Sequence, residues 1–217
     1  MKNYFLILLP SLIALTSLLS CQAQNKRVMQ NDEKQVNIEG LDYATFGAGC
    51  FWCVEAVFQE LKGVEKVISG YMGGNADQAN YKAVSYEKTG HAEVTRIYFN
   101  SEIISFETLL EVFFTTHDPT TLNRQGADKG EQYRSVIFYH NESQRTLAEK
   151  VKTSVAAELW DDPIVTEISE ATEFYEAEEY HQNFYSLNPN YGYCVAVINP
   201  KLEKFRKKFA EKLKSSH

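Results

Sequence analysis

The sequence predicts an α+β protein, a two-layer sandwich in which helices cover one mixed, ferredoxin-like sheet. Three observations carry this. Strand-like runs alternate with amphipathic helical runs, in a βαβ order that occurs twice. About 180 residues follow a distinctive N-terminal segment, a length that suits one domain. No internal repeat breaks the series.

Leu41–Phe46 reads as a strand. Phe51–Lys62 reads as a helix, because Phe51, Val54, Val57, Phe58 and Leu61 share one face and Gly63 stops it. Val64–Tyr71 is a second strand, closed by the Gly73-Gly74 turn. Tyr81–Glu87 is expected in or near an irregular loop, and Glu93–Phe99 as a third strand. Ser105 caps a helix to His117 that turns Phe106, Leu109, Leu110, Phe113 and Phe114 inward. A loop with Pro119, Gly126 and Gly130 spans Asp118–Glu131. Gln132–Tyr139 then reads as a strand, Glu142–Trp160 as a helix capped by Asn141, Ile164–Ala171 as a strand and Ala177–Tyr185 as a helix. Asn188–Pro200 is expected to be irregular. The final helix buries Leu202, Phe205, Phe209 and Leu213 beneath a lysine-rich face. This pattern leaves the strand order open.

Residues 1–20 stand apart from the fold. Lys2 is followed by an apolar run, Phe5–Leu19, broken by Pro10 and shorter than the ~20 residues a spanning helix needs. It reads as a secretory signal peptide. Leu18-Leu19-Ser20-Cys21 resembles the lipobox of bacterial lipoproteins, which implies a lipidated Cys21 at the mature N-terminus. The alternative is ordinary cleavage after Ala23. Residues 21–38 are polar and expected to form a flexible tether spanning roughly 20–25 Å. Residues 39–217 form the expected catalytic domain. The protein is therefore expected to be exported and held at a membrane of the cell envelope, facing the periplasm or the exterior.

The chain holds 22 Lys and Arg against 29 Asp and Glu, a net charge of −7. An acidic protein is a poor binder of nucleic acid or anionic lipid. With Cys21 assigned to the signal, Cys50, Cys53 and Cys194 remain, an odd set that argues against a purely structural disulfide framework. One C-x-x-C pair with a distant third cysteine, and histidines without H-E-x-x-H spacing, match no zinc pattern. No metal is expected. In an exported protein, redox catalysis explains such a set better.

Gly47-Ala-Gly-Cys-Phe-Trp-Cys53 carries the chemistry. Cys50 falls at a strand-to-helix turn, where unpaired N–H groups and the helix dipole are expected to stabilise a thiolate. Phe51 and Trp52 supply an apolar wall beside it. The bland alternative, a buried cysteine acting as a small hydrophobe, is weakened by the flanking glycines and the second cysteine.

Seven segments resemble, in order, the A-type peptide methionine sulfoxide reductases. They are Gly49-Cys-Phe-Trp52, Ser69-Gly-Tyr-Met-Gly-Gly74, Thr89-Gly-His-Ala-Glu93, His117-Asp-Pro-Thr120, Asn123-Arg-Gln-Gly126 with Asp128, Gln132-Tyr-Arg-Ser135 and Glu179-Tyr-His-Gln182. Each is weak alone; together they span Tyr43 to Pro200. Enzymes of this kind repair methionine sulfoxide, one enzyme per sulfoxide epimer. The resemblance implies reduction of the S epimer, protein-bound or free, with Cys50 as nucleophile. Glu93 is then the acid, and Tyr81 and Tyr133 the hydroxyls on the sulfoxide oxygen. Phe51 and Trp52 form the methyl slot, and Asp128 orients the substrate. His181 lies near the site with no role beyond packing or a hydrogen bond. Without the resemblance, Glu93 reads as an exposed strand carboxylate and each tyrosine as a half-buried strand residue.

The resemblance further implies a sulfenic acid on Cys50, resolved to a disulfide by a second thiol. Similarity to tail cysteines of the family favours Cys194 as resolving thiol with Cys53 as relay, and the converse stays open. Cys53 is a departure, since the commonest pattern has Gly there. No cofactor is expected beyond an external thiol reductant of thioredoxin type. The other partners implied are oxidised proteins carrying methionine sulfoxide, and the membrane through the lipid anchor; the protein is expected to be a monomer. Two rival readings are a thioredoxin-like disulfide oxidoreductase built on Cys-Phe-Trp-Cys, which needs no Glu93, and a ligand-binding surface lipoprotein that catalyses nothing.

Overall fold

The computed structural model describes residues 36–215. The signal peptide, Cys21 and most of the tether lie outside the described residues. Ile38–His217 forms one compact unit.

A six-stranded sheet runs in the order β7-β6-β1-β3-β2-β8, with β1 Asp42–Ala48, β2 Val64–Met72, β3 Ala92–Phe99, β6 Ser135–Tyr139, β7 Glu167–Glu170 and β8 Tyr175–Glu176. A separate two-stranded ribbon pairs β4, Arg124–Gln125, with β5, Asp128–Lys129. β1 pairs antiparallel with both β3 and β6, while β6 and β7 are parallel, so the sheet is mixed as predicted. Its faces follow from strand alternation. Ala44, Phe46 and Ala48 of β1, and Ile97 and Phe99 of β3, enter the main core with Ile137 of β6. The helices pack on that face: α1 Phe51–Gln59, α3 Phe106–Thr116, α4 Glu142–Val151 and α6 Asn199–Lys208. The opposite face carries a smaller cluster, Met72, Ala92, Val94, Val136 and Phe138, covered by Ala171 and Phe174.

The predicted caps form. The Ser105 hydroxyl accepts from the Thr108 N–H at 3.1 Å, and the Asn141 side chain accepts from the Gln144 N–H at 2.9 Å. Two expected irregular stretches are ordered. Tyr81 opens a helix, α2 Tyr81–Tyr86, because the Asn80 side chain accepts from the Ala83 N–H at 3.0 Å. The tail expected to be irregular is helical from residue 192 into α6, with a widened turn at Cys194–Ile198. Pro200 has no N–H to give to a carbonyl one turn back, and a widened turn relieves that conflict without ending the helix. Conversely, the helix expected over Ala177–Tyr185 breaks into a short turn at Glu179–His181 and α5, Phe184–Leu187, because Asn183 takes a left-handed φ of 53° between them.

Candidate active site

The first strand ends at Ala48, and the chain turns through Gly49 into α1, with Cys50 at the N-cap. Gly49 has φ +88, and a side chain there would meet Gln125 at 2.6 Å. The turn therefore depends on glycine twice, for its backbone angle and for the close approach of the β4 loop.

Glu93 is the second residue of β3, on the face that carries Ile97 and Phe99. Alternation points it under the first turn of α1, where its Oε2 accepts the Phe51 N–H at 3.0 Å. It is 2% exposed, not the exposed strand carboxylate that composition alone suggests. Burial raises its carboxyl to about 8, against the smaller opposing effect of the Phe51 N–H. A protonated carboxyl thus sits beside the Cys50 turn at neutral pH.

The two thiols of the C-x-x-C lie one helical turn apart and shift each other's proton affinity. Burial pushes the Cys50 thiol up, reinforced by Cys53 and by Glu93. The thiolate stabilisation expected of a helix N-terminus is outweighed by this burial, and the first N–H of the helix is given to Glu93. Cys53 moves the other way: its interaction with the Cys50 thiol lowers it to about 7 against its burial, helped by Lys201.

Cys50, Phe51, Trp52, Tyr81, Glu93, Asp128 and Tyr133 line one cavity of about 230 Å³, together with Tyr191 and Tyr193. Tyr133 and Tyr81 keep their phenolic protons, pushed up chiefly by burial and further by Glu93. Arg134 holds the Tyr133 loop, donating to the Glu131 and Gly90 carbonyls at 3.0 Å each. The Glu178 carboxylate holds Tyr81, accepting the Tyr81 N–H and the Tyr71 hydroxyl at 2.9 Å each. His181 lies behind the cavity, not in its lining. Its Nδ1 accepts from Trp52 Nε1 at 3.1 Å, and its ring lies 4.5 Å from that of Tyr81. Phe184 stacks on Trp52 with centroids 3.6 Å apart. His181 and Phe184 together fix the indole.

Cys194 is absent from the cavity lining. It lies in the widened helical turn, fully buried in the main core, and burial raises its thiol with a smaller push from Cys53. Sequence reasoning passed over its neighbour Tyr193, whose hydroxyl donates to Asp128 Oδ2 at 2.7 Å and lies 3.6 Å from Cys53 Sγ. It also missed Glu55, 1% exposed and raised to about 7 by burial, which accepts the Asn183 and Phe184 N–H groups at 3.0 and 3.2 Å. A carboxylate one residue from Val54 on the apolar stripe was a legible signal for Glu55. Tyr193 had none, since only the tertiary fold brings its helix to α1. Among the described residues no cluster of His, Cys, Asp and Glu could hold a metal ion.

The arrangement offers a soft nucleophile, a protonated carboxyl, two hydroxyls and an aromatic wall around one small cup. Comparison with known proteins agrees. Residues 42–213 match the family model of Peptide methionine sulfoxide reductase. Peptide methionine sulfoxide reductase MsrA 1 of Rhodopirellula baltica is 55% identical over 177 residues, covering 82% of this chain and 92% of that protein. The crystal structure of Mxr1 from Saccharomyces cerevisiae in its reduced form superposes with a TM-score of 0.69 at 33% identity, covering 74% of this chain and 94% of that one. Mxr1 in complex with Trx2 gives a TM-score of 0.50 at 25% identity, covering 67% and 88%. On the family match, the shared identity and the common fold, the chain belongs to the peptide methionine sulfoxide reductase family, MsrA type, and is an oxidoreductase of that class.

Proposed function

We propose that this protein reduces the S epimer of methionine sulfoxide, in oxidised proteins and as the free amino acid, with Cys50 as nucleophile and Cys53 as resolving thiol. The observation that carries the reading is a half-buried sulfur and a carboxyl protonated at neutral pH lining one aromatic cup. A sulfoxide sulfur is a poor electrophile until its oxygen takes a proton. The S-methyl group lies against Phe51 and Trp52, and the oxygen faces Glu93, Tyr81 and Tyr133. Asp128, oriented by Tyr193, holds the substrate backbone. Cys50 attacks sulfur as Glu93 protonates the oxygen, while the Cys50 proton passes to the Cys53 thiolate one helical turn away. Oxygen ends on Cys50 as a sulfenic acid and the thioether leaves. Cys53 then attacks Cys50, the S–S bond forms, and the hydroxyl departs as water.

Cys53 takes the resolving role ahead of Cys194 in this reading because it lies one helical turn from Cys50, whereas Cys194 is fully buried in the main core and absent from the cavity lining. A dithiol protein of thioredoxin type returns the two electrons, which the complex of the related Mxr1 with Trx2 supports. We further infer an exported protein anchored through lipid on Cys21, on the strength of the N-terminal motif. Replacing Cys21 by Ser should release the protein from the membrane fraction.

The test is turnover of a methionine-S-sulfoxide peptide with dithiothreitol. Cys50→Ser should lower kcat/KM by at least about a thousandfold, as loss of a covalent nucleophile does. Turnover retained by Cys50→Ser sinks the assignment. Glu93→Gln separates this reading from plain disulfide exchange at the same cysteine pair, which needs no acid and would survive the substitution.

A further inference from the structure

A second cavity, of about 500 Å³, shares no lining residue with the active-site cup. It lies where the C-terminal end of α3 meets the widened turn and α6. Trp160, Val197 and Pro200 give it an apolar side, and Lys201, Lys204 and Lys208 a cationic one. We propose that this groove is a docking site for an acidic peptide segment of another protein, one that alternates carboxylates with apolar side chains.

The sequence of α6 sets the charges. Lys201, Lys204 and Lys208 follow one another at three- and four-residue steps, so they form one stripe, roughly 10 Å long at 1.5 Å per residue. Among the described residues none of the three has a carboxylate within ion-pair distance, whereas Arg206 of the same helix pairs with Glu60. Lys208 Nζ rests 3.4 Å from the neutral Thr115 hydroxyl. The one acid of the lining, Asp118, has its Oδ1 occupied by the Thr120 N–H and hydroxyl at 2.9 and 2.6 Å. The apolar side is both open and fixed. Val197 is 39% exposed, and Trp160 Nε1 donates to the Phe114 carbonyl at 3.0 Å, which holds the indole in place.

Charge and length select the occupant. A single small carboxylate would answer one ammonium and leave the other two, with the apolar wall, uncovered. An extended segment carries alternate side chains on one edge roughly 7 Å apart, so two carboxylates fall within the lysine row while the residues between them turn to the apolar wall. The chain bears a net charge of −7, so an acidic partner is repelled by the molecule as a whole and attracted at this groove. That contrast gives the contact its register.

The experiment uses the full-length chain with nanodiscs of neutral phosphatidylcholine. The probe is a fluorescein-labelled peptide of alternating Glu and Leu, free of methionine, and binding is read by anisotropy. Saturable binding that weakens with added salt is expected. Lys204→Glu with Lys208→Glu should raise Kd at least about tenfold, because like charges then face one another. Lys207→Glu, an equal charge change outside the groove lining, should raise it far less. Val197→Asp, and a peptide of alternating Glu and Ser, should each bind more weakly than the parent pair. No binding by the unaltered chain overturns the proposal, as does an equal loss in Lys207→Glu or an undiminished affinity for the Glu-Ser peptide. Methionine sulfoxide peptide at saturation should leave the probe bound; its displacement would place the probe in the active-site cup and overturn the separate site. Binding abolished when the discs contain phosphatidylglycerol would make the bilayer the occupant and overturn the peptide.

Discussion

Glu93 shows how one side chain's chemistry is set by which face of a strand it occupies. On the inner face of β3, buried beneath the first turn of α1, it is a neutral acid at neutral pH. The rate should rise as pH passes about 7, where Cys53 becomes able to take the proton from Cys50, and fall as pH passes about 8, where Glu93 loses its own. A narrow bell between these limits is expected in kcat/KM. Glu93→Gln should lose the alkaline limb and about a hundredfold to ten-thousandfold in rate; a variant keeping that limb would assign it to another group. Tyr193→Phe removes the hydroxyl that donates to Asp128, so KM for the sulfoxide peptide should rise more than kcat falls. An unchanged KM in Tyr193→Phe would show that Asp128 is held without that hydrogen bond.

At the scale of elements, the site depends on one turn and one strap. The turn is Gly49. A residue with a side chain at φ +88 pays the left-handed cost of about 1–2 kcal/mol, and here it also pushes on Gln125, whose amide is bonded to the backbone of Asp118 at both ends. Gly40 has φ +80 and nothing within 4 Å, so it isolates the backbone cost. Gly49→Ala should therefore lower the denaturant midpoint more than Gly40→Ala does, and lower activity as well. Equal effects would show that Gln125 yields freely. The strap is the segment from Glu178 to Phe184. Glu178 holds Tyr81, His181 and Phe184 hold Trp52, and Glu55 holds the backbone at Asn183. The helix bearing Cys50 was legible from its apolar period and stop signal. The strap was not, because its contacts join residues more than 90 positions apart and Asn183 departs from right-handed helical angles.

Across the whole molecule, two buried carboxyls tie stability to pH. Glu93 and Glu55 are raised to about 8 and about 7, while the unfolded chain ionises both near the ordinary value of 4.5. The folded state therefore binds more protons above that value. Stability is highest at and below the unfolded pKa and declines as pH rises to the folded pKa of each group, at up to about 1.4 kcal/mol per pH unit per group. His117 and His140, held neutral by burial, oppose the carboxyls below about pH 6.5, so the comparison with Glu93→Gln isolates Glu93. The urea midpoint of the wild type relative to that of Glu93→Gln should fall between pH 5.5 and pH 7.5; a difference that climbs over this range would contradict the burial of Glu93. The active site then costs the fold stability at the pH where it works.

Much of this architecture can be read along the chain. Strands, most helices, the caps at Ser105 and Asn141, and the cysteine at a glycine-bounded helix start all follow from interactions within a few residues, which sequence spacing encodes directly. The order of motifs likewise brought out Glu93, Tyr81, Tyr133 and Asp128. Strand order, the helical turn that buries Cys194, the contact of Tyr193 with Cys53 and the depth of Glu93 were decided only in three dimensions. Each depends on which distant surfaces pack together, and burial, which shifts the proton affinities of Glu93 and the cysteine pair, exists only once that packing has closed.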